Sequence, residues 1–103
     1  VTLISQNLNE FELHLRAILG VPIPQIELFS AAASAVILAA QHSEQISFAN
    51  VAEALTVPDT DIRLFGKPDS RPYRRMGVAL AKGNDTQEAR SKAATTSKTV
   101  KIL

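Results

Sequence analysis

Apolar residues recur at helical spacing through Phe11, Leu15, Ile18 and Leu19, which predicts a helix over 10–19. Asn9 is placed to cap it, with Glu12 at the third helical position, and Gly20 followed by Val21 and Pro22 ends it. Pro22 and Pro24 then form a stiff, extended connector that reads as a module boundary. Ahead of the helix, Val1-Thr2-Leu3-Ile4 is β-prone. Beyond the connector, 26–29 and 33–39 read as strands; the alanines of the second favour helix, whereas Val36-Ile37 and its short length favour a buried strand. Phe48, Val51, Ala52 and Leu55 follow an i, i+3, i+4, i+7 spacing, predicting a short helix over 47–56 capped by Ser47 and closed by Pro58. Ile62 and Leu64 alternate with Arg63 and Phe65 at strand period, and Met76, Val78 and Leu80 do so again. Between them, 66–73 carries two prolines, a glycine and an Asp-Ser pair and is a loop. Asn84-Asp85, with Glu88 three residues after Asp85, caps a helix over about 86–94, and 100–103 gives a last short strand. The pattern predicts an α+β chain: a leading helix, a proline joint, then a β-rich unit of four or five strands and two short helices.

Composition narrows the chemistry. Across 103 residues there is no cysteine, so disulfides, thiolate metal sites and a cysteine nucleophile are excluded. The longest apolar stretch, 31–40, is interrupted by Ser34 and is far short of the ~20 residues a membrane-spanning helix needs. No charged leader with an apolar core opens the chain, so the expectation is a cytoplasmic protein with no membrane partner. A strand-prone start without an initiating methionine fits a piece of a longer chain. No internal repeat is visible.

Charge is the informative quantity. The formal net charge is +1, yet residues 1–62 hold one cation (Arg16) and seven acids, while residues 63–103 hold ten cations and three acids. Arg63, Lys67, Arg71, Arg74 and Arg75 fall within thirteen residues, offset there only by Asp69. Arginine offers a planar fork matched to phosphate or carboxylate oxygens and lysine a compact point charge, so the group suits a phosphate monoester. A solvated charged face is the plain alternative. Neighbouring strand residues point to opposite faces, so Arg74 and Arg75 share a ligand only at a bend, which Pro72-Tyr73 makes available. His14 and His42 lack metal-ligand spacing, and Ser30 and Ser34 have no arrangement for nucleophilic catalysis. No phosphate-cradling or dinucleotide motif is present. No catalytic and no metal-binding residue is therefore expected in this chain.

Several separated blocks resemble one family in the right order. They are Ile62-Arg63-Leu64-Phe65-Gly66-Lys67-Pro68, then Arg74-Arg75-Met76-Gly77-Val78-Ala79-Leu80-Ala81, with Val1-Thr2-Leu3-Ile4-Ser5-Gln6, Ala33-Ser34-Ala35-Val36-Ile37-Leu38 and Val100-Lys101-Ile102. Together they are similar to the C-terminal end of the formate-dependent phosphoribosylglycinamide formyltransferases of the ATP-grasp superfamily. A sister family, the ATP-dependent carboxylases that make carboxyaminoimidazole ribonucleotide, usually carries Arg-Lys-Met-Gly-His where this chain has Arg74-Arg75-Met76-Gly77-Val78, which favours the formyltransferase.

The resemblance implies that residues 1–24 are the tail of an ATP-grasp core and residues 25–103 a β-rich, barrel-like domain, the rudiment single hybrid motif. It implies that Lys67, Arg74 and Arg75 hold the phosphoribosyl phosphate of glycinamide ribonucleotide, and it leaves Arg71 and Arg63 without a role. It implies ATP and Mg2+ bound upstream of this chain, formate as co-substrate, a homodimer at full length and no nucleic-acid partner. Two other readings stay open. One is a non-catalytic anion- or nucleic-acid-binding module using the basic 63–75 hairpin; the other is an assembly domain whose arginines pair with acids elsewhere in a longer chain.

Overall fold

The computed structural model describes residues 1–103. Its elements run α1 (Thr2–Ser5), α2 (Glu10–Leu19), β1 (Ala31–Leu38), β2 (Phe48–Ala49), α3 (Val51–Ala54), β3 (Thr60–Leu64), β4 (Arg75–Gly83), α4 (Thr86–Thr99) and β5 (Lys101–Ile102). The mixed helix-and-sheet class matches the expectation.

Strand β4 is the organising element. It lies between β1 and β3, antiparallel to both, in a three-stranded sheet of order β1-β4-β3. A separate two-stranded ladder joins β2 and β5. Residues 76–81 of β4 are mostly apolar, as befits a strand flanked on both sides. Gly77 permits the tight approach of β3: a Cβ there would stand 2.7 Å from the Arg63 carbonyl oxygen.

The inner face of the sheet is covered by α4, and small residues set the spacing. Ala33 and Ala81 of the sheet meet Ala89 and Ala93 of the helix, so helix and sheet approach closely. Thr96 and Val100 continue the same buried stripe at i+3 and i+4 steps. A second cluster of larger residues, Ile37, Met76, Val100 and Ile102 with Ala39 and Ala54, closes the end where the β2–β5 ladder packs.

The caps read from sequence are present. Asn9 Oδ1 accepts from the Glu12 N–H at 2.9 Å, and Gly20 ends α2 in the left-handed region at φ 67°. Asp85 Oδ1 accepts from the Glu88 N–H at 2.7 Å, while Glu88 Oε2 accepts from the Asn84 N–H at 3.0 Å, a reciprocal cap.

Several expectations are corrected. The β-prone start forms α1, because its carbonyls and amides close a helical turn from Val1 and Ser5 is buried there. The strand expected over 26–29 is only a bridge between Gln6 and Leu28, fixed by Asn7, which exchanges backbone and side-chain bonds with Glu27. The helix expected over 47–56 starts later: Ser47 pairs its backbone with Leu103 instead of capping, and α3 begins after Asn50 at φ 65°. Helix α4 runs to Thr99 rather than about residue 94, so it is fourteen residues long and not short. Its polar C-terminal half carries little apolar signal, yet Thr96 is fully buried. No helix is long and apolar enough to cross a membrane.

Candidate functional site

The outer face of the sheet lacks a covering helix along part of its length. In the antiparallel register Val36 stands opposite Val78, Val78 opposite Arg63, and Leu38 opposite Arg75, so these side chains share that face. Regular alternation would not put Arg75 and Val78, three residues apart, on one side. A β-bulge does so: Ile37 pairs with Gly77 and Leu38 with Arg75, leaving Met76 as the extra residue. Met76 turns into the core and is fully buried, while Arg75 is carried to the outer face.

There Arg63, Phe65, Arg75 and Val78 line one cavity of about 520 Å³ with Val36 and, from the α1–α2 side, Phe11. The floor is apolar and the guanidiniums stand at its wall. Lys67, in the loop after β3, does not line the cavity; its Nζ lies 5.9 Å from the centre of the Phe65 ring. Arg63 Nη1 lies 3.2 Å from Asp61 Oδ2, and Asp61 Oδ1 accepts from the Ile62 N–H at 2.9 Å.

Arg74 is placed differently. Its Nη1 donates to Asp69 Oδ1 at 2.9 Å, its side chain is largely covered, and its Nε is buried without a partner. Its carbonyl accepts from Ala39 N, and Tyr73 N donates to Ala39 O with Tyr73 in the left-handed region at φ 66°. That is the bend expected from Pro72-Tyr73, held by the end of β1. Of the three residues implied by resemblance, Arg75 lines the cavity, Lys67 lies over the Phe65 ring without lining it, and Arg74 is tied to the 69–74 loop. Arg71 is exposed.

A second hollow, beside the start of α4, gathers Asp59, Lys82, Glu88 and Lys92. Its charges neutralise one another: Lys92 lies 3.1 Å from Glu88 and 3.8 Å from Asp59. The Asn84 N–H, and then Lys92, hold the Glu88 carboxyl below its ordinary value. This hollow is a helix cap rather than a ligand site. No group of three or more His, Asp or Glu side chains is arranged to hold a metal, so no residue here is assigned to one.

Sequence reasoning singled out the cations but not the apolar floor. The signal was present in the alternation that sets Phe65, just past β3, on the same face as Asp61 and Arg63.

A sheet covered by a helix on one side and presenting guanidiniums over an apolar floor on the other defines an α+β module with a one-sided cationic pocket. Modules of this shape occur inside longer chains. N5-carboxyaminoimidazole ribonucleotide synthetase from Thermotoga maritima superposes with a TM-score of 0.88 at 28% identity, over 99% of this chain and 29% of that one. Glycinamide-RNase-transformylase T from Mycobacterium tuberculosis superposes with a TM-score of 0.71 at 34% identity, over 95% and 26%. The family model described as "PurT, C-terminal" matches residues 32–100, and the chain belongs to that family. A formate-dependent phosphoribosylglycinamide formyltransferase from Trichormus variabilis is 63% identical over 99% of this chain. The chain spans about a quarter (26%) of that relative's length.

Proposed function

We propose that this chain is the substrate-anchoring end of an ATP- and formate-dependent enzyme of de novo purine biosynthesis that formylates glycinamide ribonucleotide through formyl phosphate. The observation that carries the reading is the coincidence of the Phe65-Gly66-Lys67-Pro68 and Arg74-Arg75-Met76-Gly77 blocks with an apolar-floored, cationic cavity, in a chain 63% identical to a relative of that name. Lys67, Arg74 and Arg75 hold the phosphoribosyl phosphate, with Asp69 orienting Arg74. The division of labour is physically sensible: grip on a remote, non-reacting phosphate orients the glycinamide amine toward the acyl phosphate.

ATP supplies the phosphoryl group that activates formate, and its site and that of Mg2+ lie in the longer chain. The enzyme acts in the cytoplasm as a homodimer without a nucleic-acid partner. Residues 1–24 are the tail of an ATP-grasp core and 25–103 the rudiment single hybrid motif. The solvent-facing apolar side of α2 and the two prolines between the segments support that division.

In the full-length enzyme, Lys67→Ala or Arg75→Ala is expected to raise KM for glycinamide ribonucleotide by about 10–100-fold, since a charge-assisted hydrogen bond contributes ~1.5–3 kcal/mol. KM for ATP stays unchanged. Steady-state kinetics with an unaltered glycinamide ribonucleotide KM and kcat would sink the reading. The 103-residue piece alone is expected to form no formylglycinamide ribonucleotide.

A further inference from the structure

We propose that Arg63 is a further anion-binding side chain of this site, working beside Arg75 on the outer face of the sheet. The ligand it takes is a phosphorylated sugar whose apolar ring face lies on Phe65 and Val78. The inference rests on the reading above and extends it to a residue that reading leaves without a role.

Four observations converge on Arg63. It lines the same cavity as Arg75, and the register puts it opposite Val78, on the face to which the Met76 bulge delivers Arg75. It is held rather than free: Asp61 spends one oxygen on the Ile62 N–H and the other on Arg63 Nη1, so the guanidinium is drawn along the sheet. Arg63 and Asp61 are both about half exposed, so the pair contributes little stability, ~0.2–1 kcal/mol, and its effect is orientation. One Nη1 contact leaves most of the five guanidinium N–H donors unspent, enough for a two-pronged grip on phosphate oxygens.

The surroundings agree on where an anion goes. Glu10 lines the cavity from the helical side, so a negative ligand is turned toward the β3–β4 wall, where Arg63 and Arg75 stand. Gly77, also lining the cavity, keeps the two strands close: a Cβ on it would strike the Arg63 carbonyl and push Arg63 away. The wall carries the two positive charges of Arg63 and Arg75 against a dianion, with Lys67 nearby over the Phe65 ring.

The test uses the full-length enzyme with Arg63→Ala, Arg63→Lys and, in parallel, Arg75→Ala. Calorimetric Kd values are measured for glycinamide ribonucleotide and for ribose 5-phosphate, with KM for ATP and the melting temperature alongside. Arg63→Ala is expected to weaken both phosphorylated ligands at least tenfold, and Arg63→Lys to recover part of the loss. ATP KM and melting temperature hold steady, because Arg63 is half exposed. If Arg75→Ala weakens binding while Arg63→Ala leaves Kd unchanged, the role of Arg63 is refuted and the site stands. If neither variant alters Kd, the site itself is refuted. A fall in melting temperature with Kd unchanged makes Arg63 an interdomain contact and also overturns the proposal.

Discussion

Arg74 and Arg75 are adjacent in sequence and identical in chemistry, yet the structure gives them different work. Arg74 is paired with Asp69 and largely covered, with a buried Nε lacking a partner, whereas Arg75 opens onto the cavity. Truncating Arg74 leaves Asp69 without its ion pair and opens a hole in the 69–74 loop; truncating Arg75 removes only an exposed cation. Arg74→Ala is therefore expected to cost about 1 kcal/mol of stability, and Arg75→Ala to stay within ~0.5 kcal/mol, as read from urea midpoints of the two variants. Equal losses would contradict this assignment. The charge cluster was legible in the sequence because five cations in thirteen residues need no fold to be noticed. Which of them share a face was not legible, since that depends on a one-residue slip in the pairing of β1 with β4.

Helices α2 and α4 carry equivalent side-chain caps but sit in different mechanical settings. Helix α4 lies on the sheet through Ala89, Ala93 and Thr96, so losing its cap should be felt by the whole fold. Helix α2 buries no residue. Asp85→Ala is expected to lower global stability by ~1 kcal/mol, whereas Asn9→Ala should only speed amide exchange within α2. Exchange across 10–19 that is unchanged by Asn9→Ala would refute the second half. Glu88 adds a pH signature. Its folded-state value lies below the ordinary one, chiefly through the Asn84 N–H and then Lys92. Its contribution is thus fully present above the unfolded-state value and is lost as pH falls through the depressed folded value. Denaturation midpoints of the wild type and Glu88→Gln should differ near neutrality and converge in acid; a constant gap would contradict the linkage. Both caps were readable because capping is local, a side chain three residues from its partner. The strand expected over 26–29 shrinks to a bridge and the helix expected over 47–56 is shortened at its start because these backbones are bound from far away, by Gln6 and Asn7 in one case and Leu103 in the other.

At the scale of the molecule, the apolar residues are unevenly covered. Along α2, Phe11, Leu15, Ile18 and Leu19 are 57–67% exposed, and Leu28 and Phe29 beyond the prolines are exposed too. Single exposed hydrophobes are ordinary, but a continuous run of them marks a contact surface. Relatives carry about four times this length of chain, so we expect the longer protein to cover this face. Leu15→Gln should then change the stability of the 103-residue chain by no more than ~0.5 kcal/mol, and destabilise the full-length protein by ~2 kcal/mol. Thermal scans of both forms check this, and an equal response would contradict it. The helix itself was legible from its spacing; that its apolar stripe faces outward was not, because periodicity identifies a face without saying what meets it.

The extra residue at Met76 gives β4 a parity. Side chains before and after it are counted on opposite footings, so the pairing register rather than residue identity decides which arginine faces the cavity. A chain with Met76 replaced by Leu would keep that count. A chain with Met76 deleted would lose the bulge and leave Arg75 two places from Val78, on the same outer face by ordinary alternation, at the cost of a buried core side chain. Pairing Met76 into a regular ladder would instead turn Arg75 toward α4 and Arg74 outward, an exchange set by register and not by the chemistry of either arginine.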